Sequence, residues 1–205
     1  MMSFIINFVS GFALSASLIV AIGAQNLFVL RQGLKKEHVG PVVLFCGFSD
    51  AVLIIAGVSG MGALLGTFPQ VAKGFTLVGA AFLFWYGVRA LRQAMRAESM
   101  TVAHGASVSL PKALASVAAF TWLNPHVYLD TVLLMGTAST AQPIPLRPFF
   151  AAGAASASFL WFGALGYGAR LLQPLFATPK SWKILDIVIG CVMLFLASLL
   201  LRKVL

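Results

Sequence analysis

The sequence predicts an all-α integral membrane protein of about six transmembrane helices, arranged as two inverted three-helix repeats with helices 1 and 4 broken. Three observations predict it: a composition too apolar for water, six apolar runs of spanning length, and a repeated order of motifs in the two halves of the chain. Hydrophobic residues make up 60% and charged residues 9% of the chain, against about 25% charged in an ordinary soluble domain. A spanning helix needs roughly 20 mostly apolar residues. Runs of that kind lie near 4–30, 41–66, 74–91, 112–136, 149–172 and 184–201. Apolar residues cover every face of each run, unlike an amphipathic soluble helix. No run shows the short alternation of a barrel strand. The chain reads as a single transmembrane domain over 1–205, with the bilayer as its solvent. The first run is expected to be retained, because Met1 to Asn7 holds no Lys or Arg and so has no basic leader segment.

The net charge is +9, from 14 Lys+Arg against 5 Asp+Glu. These bases sit at the ends of the runs, where the excess of positive charge in cytoplasmic loops explains them better than a nucleic-acid partner does. The segments after runs 1, 3 and 5 hold Arg31, Lys35 and Lys36, then Arg89, Arg92, Arg96 and Lys112, then Arg170, Lys180 and Lys183. The other side holds Lys73, Arg147, Arg202 and Lys203. Ten bases against four place the odd-numbered loops in the cytoplasm and both termini outside. Cys46 and Cys191 lie inside apolar runs without metal-ligand spacing and read as small packing residues. No metal and no cofactor is expected.

Taken in order, run 1 is interrupted by Gly23-Ala24-Gln25-Asn26. Run 2 carries Asp50, nine residues past Pro41. That is about 13 Å along a helix, near the centre of a core roughly 30 Å thick. Trp85-Tyr86 of run 3 and Trp161 of run 5 are read as packing or interface aromatics. Run 4 contains TWLNPHVYLD (121–130), in which Asn124, Pro125, His126 and Asp130 are all poor choices for a buried helix. Pro125 donates no backbone hydrogen bond, so the Thr121 carbonyl loses its helical partner. His126 and Asp130 are four apart and would share a helix face, as a hydrogen-bonded pair or with the histidine serving a local carbonyl. Runs 5 and 6 repeat the pattern of runs 2 and 3. GVSGMGALL (57–65) matches GALGYGARL (163–171) in its three glycines, VGAAFLF (78–84) matches IGCVMLF (189–195), and GAQN (23–26) falls opposite NPHV (124–127). Repeat 1 covers about 1–96 and repeat 2 about 110–205. Three helices per repeat is an odd number, so the repeats point in opposite directions, a common architecture of secondary transporters.

The two breaks and the intramembrane acids are where function is expected. Broken backbone is tolerated in a membrane where protein buries it or it faces a water-filled cavity. The start of a half-helix suits a carboxylate, and freed carbonyls suit a cation. An intramembrane acid is costly and marks a functional site. No Lys or Arg lies near the middle of any run, so Asp50 and Asp130 must be protonated, hydrogen-bonded or paired with something that comes from outside. The candidate residues are Asp50, Asp130, Asn124, Pro125, His126, Gln25, Asn26 and Gly23.

GAQNLFVLRQG (23–33), FSDAVLIIAG (48–57), FLFWYG (82–87), TWLNPHVYLD (121–130) and ASFLWF (157–162) resemble the LysE family of bacterial amino-acid exporters, along nearly the whole chain. Ala24 stands where the family's first motif often carries proline, which leaves bending there to Gly23. The resemblance implies a multi-pass protein of the bacterial inner membrane. It implies export of basic amino acids, arginine or lysine, driven by the membrane potential or a proton gradient, with Asp50 and Asp130 as the functional acids. The alternatives are an exporter of another small solute or of a metal cation, and an intramembrane enzyme using His126 and Asp130. The first alternative wants more carboxylate, thiol or imidazole ligands at one depth. The second finds no nucleophile or nucleotide motif beside those residues, so the chain is expected not to be an enzyme. Small-residue faces such as Gly62/Gly66 suit a packing subunit or a homo-oligomer, but that role leaves the acids unused.

The charge asymmetry generates a topology test. Single cysteines placed at 35 and at 203 are expected to react with an impermeant reagent from opposite sides, 35 from the cytoplasm and 203 from outside. Reaction of both from the cytoplasm alone would overturn the six-span arrangement.

Overall fold

The computed structural model describes residues 2–20, 23–61, 69–96, 108–176 and 178–202, which form helices with no strand among them. Helix α1 (Met2–Ile19) is followed by α2 (Ala24–Lys35). Helix α3 (Val39–Ala56) runs into a π-helical turn, Gly57–Met61. Then come α4 (Pro69–Arg96) and α5 (Leu110–Trp122). A three-residue α6 (Pro125–Val127) leads into a π-helix, Tyr128–Leu134, and α7 (Met135–Thr140). Helix α8 (Arg147–Gly168) continues as a 3-10 helix, Ala169–Phe176, and α9 (Pro179–Arg202) follows. Gly62 and Gly66, the small-residue face expected after run 2, lie outside the described residues.

Proline sets several of these starts. Pro69, Pro125 and Pro179 are first residues of their helices, and Pro111 and Pro148 are second. At such positions the missing N–H has no intrahelical acceptor to lose and φ is already helical. The helices therefore begin a few residues before the apolar runs do. At the far end of α3, Gly60 has φ +93, a left-handed conformation that favours glycine and ends the helix.

Four of the helical stretches, Met2–Ile19, Val39–Gly60, Ile144–Phe176 and Pro179–Arg202, are long and apolar enough to cross a membrane. Their outer faces carry bare apolar side chains such as Phe48, Ile55, Leu160 and Phe195, as a lipid-facing surface requires. Between helices there is no hydrophobic drive in lipid, so association rests on close packing. Helix α1 lies along α8, and α4 lies along α9. A side chain at Gly11 would collide with the Phe150 carbonyl, and one at Gly153 with the Phe8 carbonyl. The two backbones of α1 and α8 therefore touch at reciprocal glycines. Gly33 of α2 meets Gly166 of α8 in the same way, and Gly136 of α7 meets Gly57.

Three connecting segments meet at one end. His38 Nε2 lies 2.7 Å from the Val108 carbonyl oxygen, ahead of α5. Gln173 Nε2 donates to the Leu34 carbonyl at 3.2 Å. The turn after α2, the approach to α5 and the 3-10 segment after α8 are thus neighbours. These segments include Lys35, Lys36, Lys112 and Arg170, so this is the basic end of the molecule.

Gly153→Leu is expected to lower the midpoint of thermal unfolding in detergent by several degrees, because overpacking costs about 1–3 kcal/mol and backbone yields less readily than a side chain. An unchanged midpoint would mean that α1 and α8 are not in contact.

Candidate functional site

Both breaks open onto one cavity of about 280 Å³, near the small end of the roughly 300–1,000 Å³ usual for small-molecule sites. The last turn of α1 forms one side, with Ser15 and Leu18. Leu83, Phe162, Leu196 and Leu200 supply apolar surface from α4, α8 and α9. Seven of the eight residues singled out in the sequence line it: Gly23, Gln25, Asn26, Asp50, Asn124, His126 and Asp130. Pro125 opens α6 between two of them.

At the first break, the Asn26 side chain closes what the helix leaves open. Its Nδ2 donates to the Ile19 carbonyl at 2.8 Å, across the gap. Its Oδ1 accepts from the Trp161 indole N–H at 3.2 Å. Trp161, read from the sequence as a packing aromatic, is therefore a clamp on the break. Gly23 behaves otherwise than expected. Its φ of −124 and ψ of 174 are ordinary extended values, and an added Cβ would meet nothing within 4 Å. Neither backbone nor space demands glycine there in this conformation.

The second break is closed by the same device with different side chains. The Tyr128 hydroxyl donates to the Trp122 carbonyl at 2.7 Å. The sequence pointed to the Thr121 carbonyl, but α5 runs on to Trp122 and the side-chain donor serves that residue. Asn124 Oδ1 accepts the His126 N–H at 3.1 Å, forming an Asx turn that starts α6. The Trp122 indole N–H donates to Ser49 Oγ at 3.2 Å, tying the break to the residue before Asp50. The π-helix then carries Asp130. His126 and Asp130 both line the cavity, but the chain between them is α6 followed by π-helix. Simple four-residue α-helical spacing is not what sets their positions.

The electrostatics of the cavity are one-sided. Asp50 is 5% exposed and lies beside Ser158 of α8, a buried hydroxyl without a well-formed hydrogen bond of its own. Asp130 is the second carboxylate, and no Lys or Arg lines the wall among the described residues. Gln25 is 8% exposed and its Nε2 is a buried donor without a partner. Helix α2 begins at the same wall with no side-chain cap, its first bond running from the Leu27 N–H to the Gly23 carbonyl at 3.1 Å. The amides of Ala24 and Gln25 precede that bond and stand at the positive end of a helix dipole. One cavity thus offers donors for an anion and two acids for cations.

Sequence reasoning missed a buried ion pair. Arg31 Nη2 and Asp186 Oδ1 are 2.9 Å apart, with side chains 11% and 5% exposed. Arg31 looked like a loop cation, and Asp186 lay close to Lys180 and Lys183. The pairing is long-range in sequence, and no local spacing announces it.

A model of the family described as LysE type translocator matches residues 16–204. Similar proteins include the arginine exporter protein ArgO of Escherichia coli strain K12, 41% identical over 94% of this chain and 92% of its own length. The arginine exporter protein ArgO of Yersinia enterocolitica is 42% identical over 96% of each chain. A putative amino-acid transporter of Mycobacterium tuberculosis strain H37Rv is 43% identical over 89% of this chain and 90% of its own. No solved structure matches.

Two neighbouring amides therefore have different expected fates. Asn26→Ala strips a carbonyl and an indole N–H of their partner and is expected to cost about 1–3 kcal/mol of stability. Gln25→Leu removes a donor that already lacks one and is expected to be neutral or stabilising, while impairing transport. Thermal unfolding of the two purified variants checks this, and equal losses of stability would refute the distinction.

Proposed function

The chain belongs to the LysE type translocator family, and on that premise we propose that it exports arginine and lysine. It is a transporter rather than an enzyme, a multi-pass protein of the inner membrane with amino acids as its class of cargo. The observation that carries the substrate reading is the cavity wall: two carboxylates, no Lys or Arg among the described residues, and an uncapped helix start on the same surface. A basic amino acid has one carboxylate, one α-ammonium and one further cation. The start of α2 and Gln25 Nε2 suit the carboxylate. Asp50 suits the side-chain cation, and Asp130 the α-ammonium. The apolar surface from Leu83, Phe162 and Leu196 suits the methylene stem. A neutral amino acid would leave an acid unpaired in a poorly solvated place, which is costly. The names of the two ArgO relatives agree with this reading.

The six-span inverted repeat belongs to the same proposal, and the packing supports it. Helix α3 packs on α8, and α4 on α9. Under inversion these would be each repeat's second and third helices meeting their counterparts. The halves of the first broken helix pack on α8, and those of the second pack on α3 and its π-turn. The reciprocal approach of Gly87 and Gly190 marks where α4 and α9 would cross the pseudo-axis. For coupling, we place substrate and proton in competition for the carboxylates. When the cation leaves, an ionised acid remains in a site of low polarity, and a proton taken from outside neutralises it. Such exchange needs no second site.

Asp50→Asn is expected to abolish efflux of labelled arginine and lysine from preloaded cells, and Asp130→Asn to weaken it, at equal levels of membrane protein. Removing one partner of a buried charge pair costs about 2–5 kcal/mol, so the first loss should be roughly thirtyfold or more. Wild-type efflux in the Asp50→Asn variant would end the countercharge reading.

A further inference from the structure

The cavity stops short of the basic end, and what fills the remaining path is ordered in depth. Arg31 is seven residues past Ala24 on α2, and Asp186 is ten residues before Leu196 on α9. At a rise of 1.5 Å per residue the ion pair lies roughly 10–15 Å from the cavity wall, toward the basic end. Between them is a knot of aromatic rings. Phe28 packs on Phe120 at 5.4 Å between ring centroids and on Tyr86 at 6.4 Å, and Tyr86 packs on Phe120 at 4.8 Å. Phe28, Tyr86 and Phe120 are all buried. The Tyr86 hydroxyl also reaches Arg31. Among the described residues no such ring cluster lies on the side of the cavity whose wall is α1, Met135 of α7 and the last turns of α9.

We propose that the Arg31–Asp186 pair is the closed gate at the basic end, and that Asp186, once Arg31 withdraws, is the site that first takes the substrate's cationic group. This rests on the reading of the protein as a carrier of basic amino acids. The chemistry favours it in two ways. A buried ion pair is a poor source of net stability, because desolvation of both charges offsets their attraction, so its use here is better sought in switching. Asp186 already holds a guanidinium, the tethered counterpart of the arginine side chain. An incoming guanidinium or ammonium replaces Arg31 in kind, so the gate opens without leaving the acid bare. Arg31 sits on α2, the half-helix whose first turn borders the cavity, so its withdrawal and a change of shape at the cavity belong to one movement.

Cys46 supplies a reporter. It is fully buried on α3, one turn toward the basic end from Asp50, and lies beside Gln25. In a Cys191→Ala background, which removes the exposed thiol, Cys46 should react slowly with a small impermeant thiosulfonate applied to vesicles of either orientation. Arg31→Gln and Asp186→Asn should each speed that reaction about tenfold or more from the side bearing Lys35 and Lys36, and from that side alone, by removing one partner of the pair. Arg31→Lys and Asp186→Glu, which keep the charges, should leave it slow. Unchanged labelling in both neutralised variants would overturn the gate. Transport then separates the two residues. Arg31→Gln should keep the KM for arginine or lower it, because it removes the competitor for Asp186. Asp186→Asn should raise the KM roughly thirtyfold or more. Equal KM changes would reduce the pair to a structural contact and overturn the intake site. Should Asp186→Asn fail to reach the membrane, Asp186→Ser takes its place in both measurements. A wild-type protein that moved neither arginine nor lysine would defeat the substrate reading, and the labelling would still decide the gate.

Discussion

A helix interrupted inside a bilayer frees backbone groups where no water waits to take them, and the rest of this molecule is arranged around answering that demand. Each unsatisfied polar group in hydrocarbon costs several kcal/mol. Both breaks use one solution. A polar side chain just after the gap reaches back to a carbonyl just before it, Asn26 to Ile19 and Tyr128 to Trp122. A tryptophan from the neighbourhood secures each closure, Trp161 through Asn26 and Trp122 through Ser49. Because the carbonyls are satisfied internally, the groups left over are those facing the cavity. These include the first amides of α2 and the Gln25 amide. The division between structural and available polarity gives an otherwise costly defect a polar cavity wall.

Much of this was legible in the chain because the bilayer leaves few options. Residues that oppose a buried helix stand out against an apolar background, and Asn124, Pro125 and Asp130 stood out for that reason. The convergence of Asn124 and Asp130 with Gly23, Gln25, Asn26 and Asp50 on one cavity follows from the breaks lying opposite one another. What was not legible depended on long-range geometry or on backbone detail. The Arg31–Asp186 contact joins residues from opposite ends of the sequence. Trp161 looked like an ordinary packing aromatic, and Trp122 carries no local mark of its bond to Ser49. The π-helix at Tyr128–Leu134 has no simple compositional mark, though it carries Asp130. Gly23 misled because glycine's freedom was taken as a freedom in use, whereas its observed φ is one that any residue adopts.

The apolar and charged parts of the path do different work. Packing of α4 on α9 and of α1 on α8 relies on small residues and close backbone approach, which give rigid contacts without charge. Charge is confined to a few places along the path. Asp50 and Asp130 stand at the cavity, and Arg31 with Asp186 stands beyond the aromatic knot. The acids at the cavity and the Arg31–Asp186 pair are thus separated by the buried rings of Phe28, Tyr86 and Phe120.

Helix α1 buries only Asn7, Gly11 and Ser15, a stripe one residue wide laid on α8. Its other flanks carry Phe4, Ile5, Ile6 and Val9 outward. At 18 residues it is about 27 Å long, slightly less than a typical hydrocarbon thickness of roughly 30 Å. Ser15, Leu18 and Ile19 at its inner end are cavity wall. Lipid is therefore a packing partner of the cavity wall at one remove. A change in acyl-chain length tilts or shifts α1 against its narrow seam, and the membrane's own thickness enters the energy of the cavity's shape.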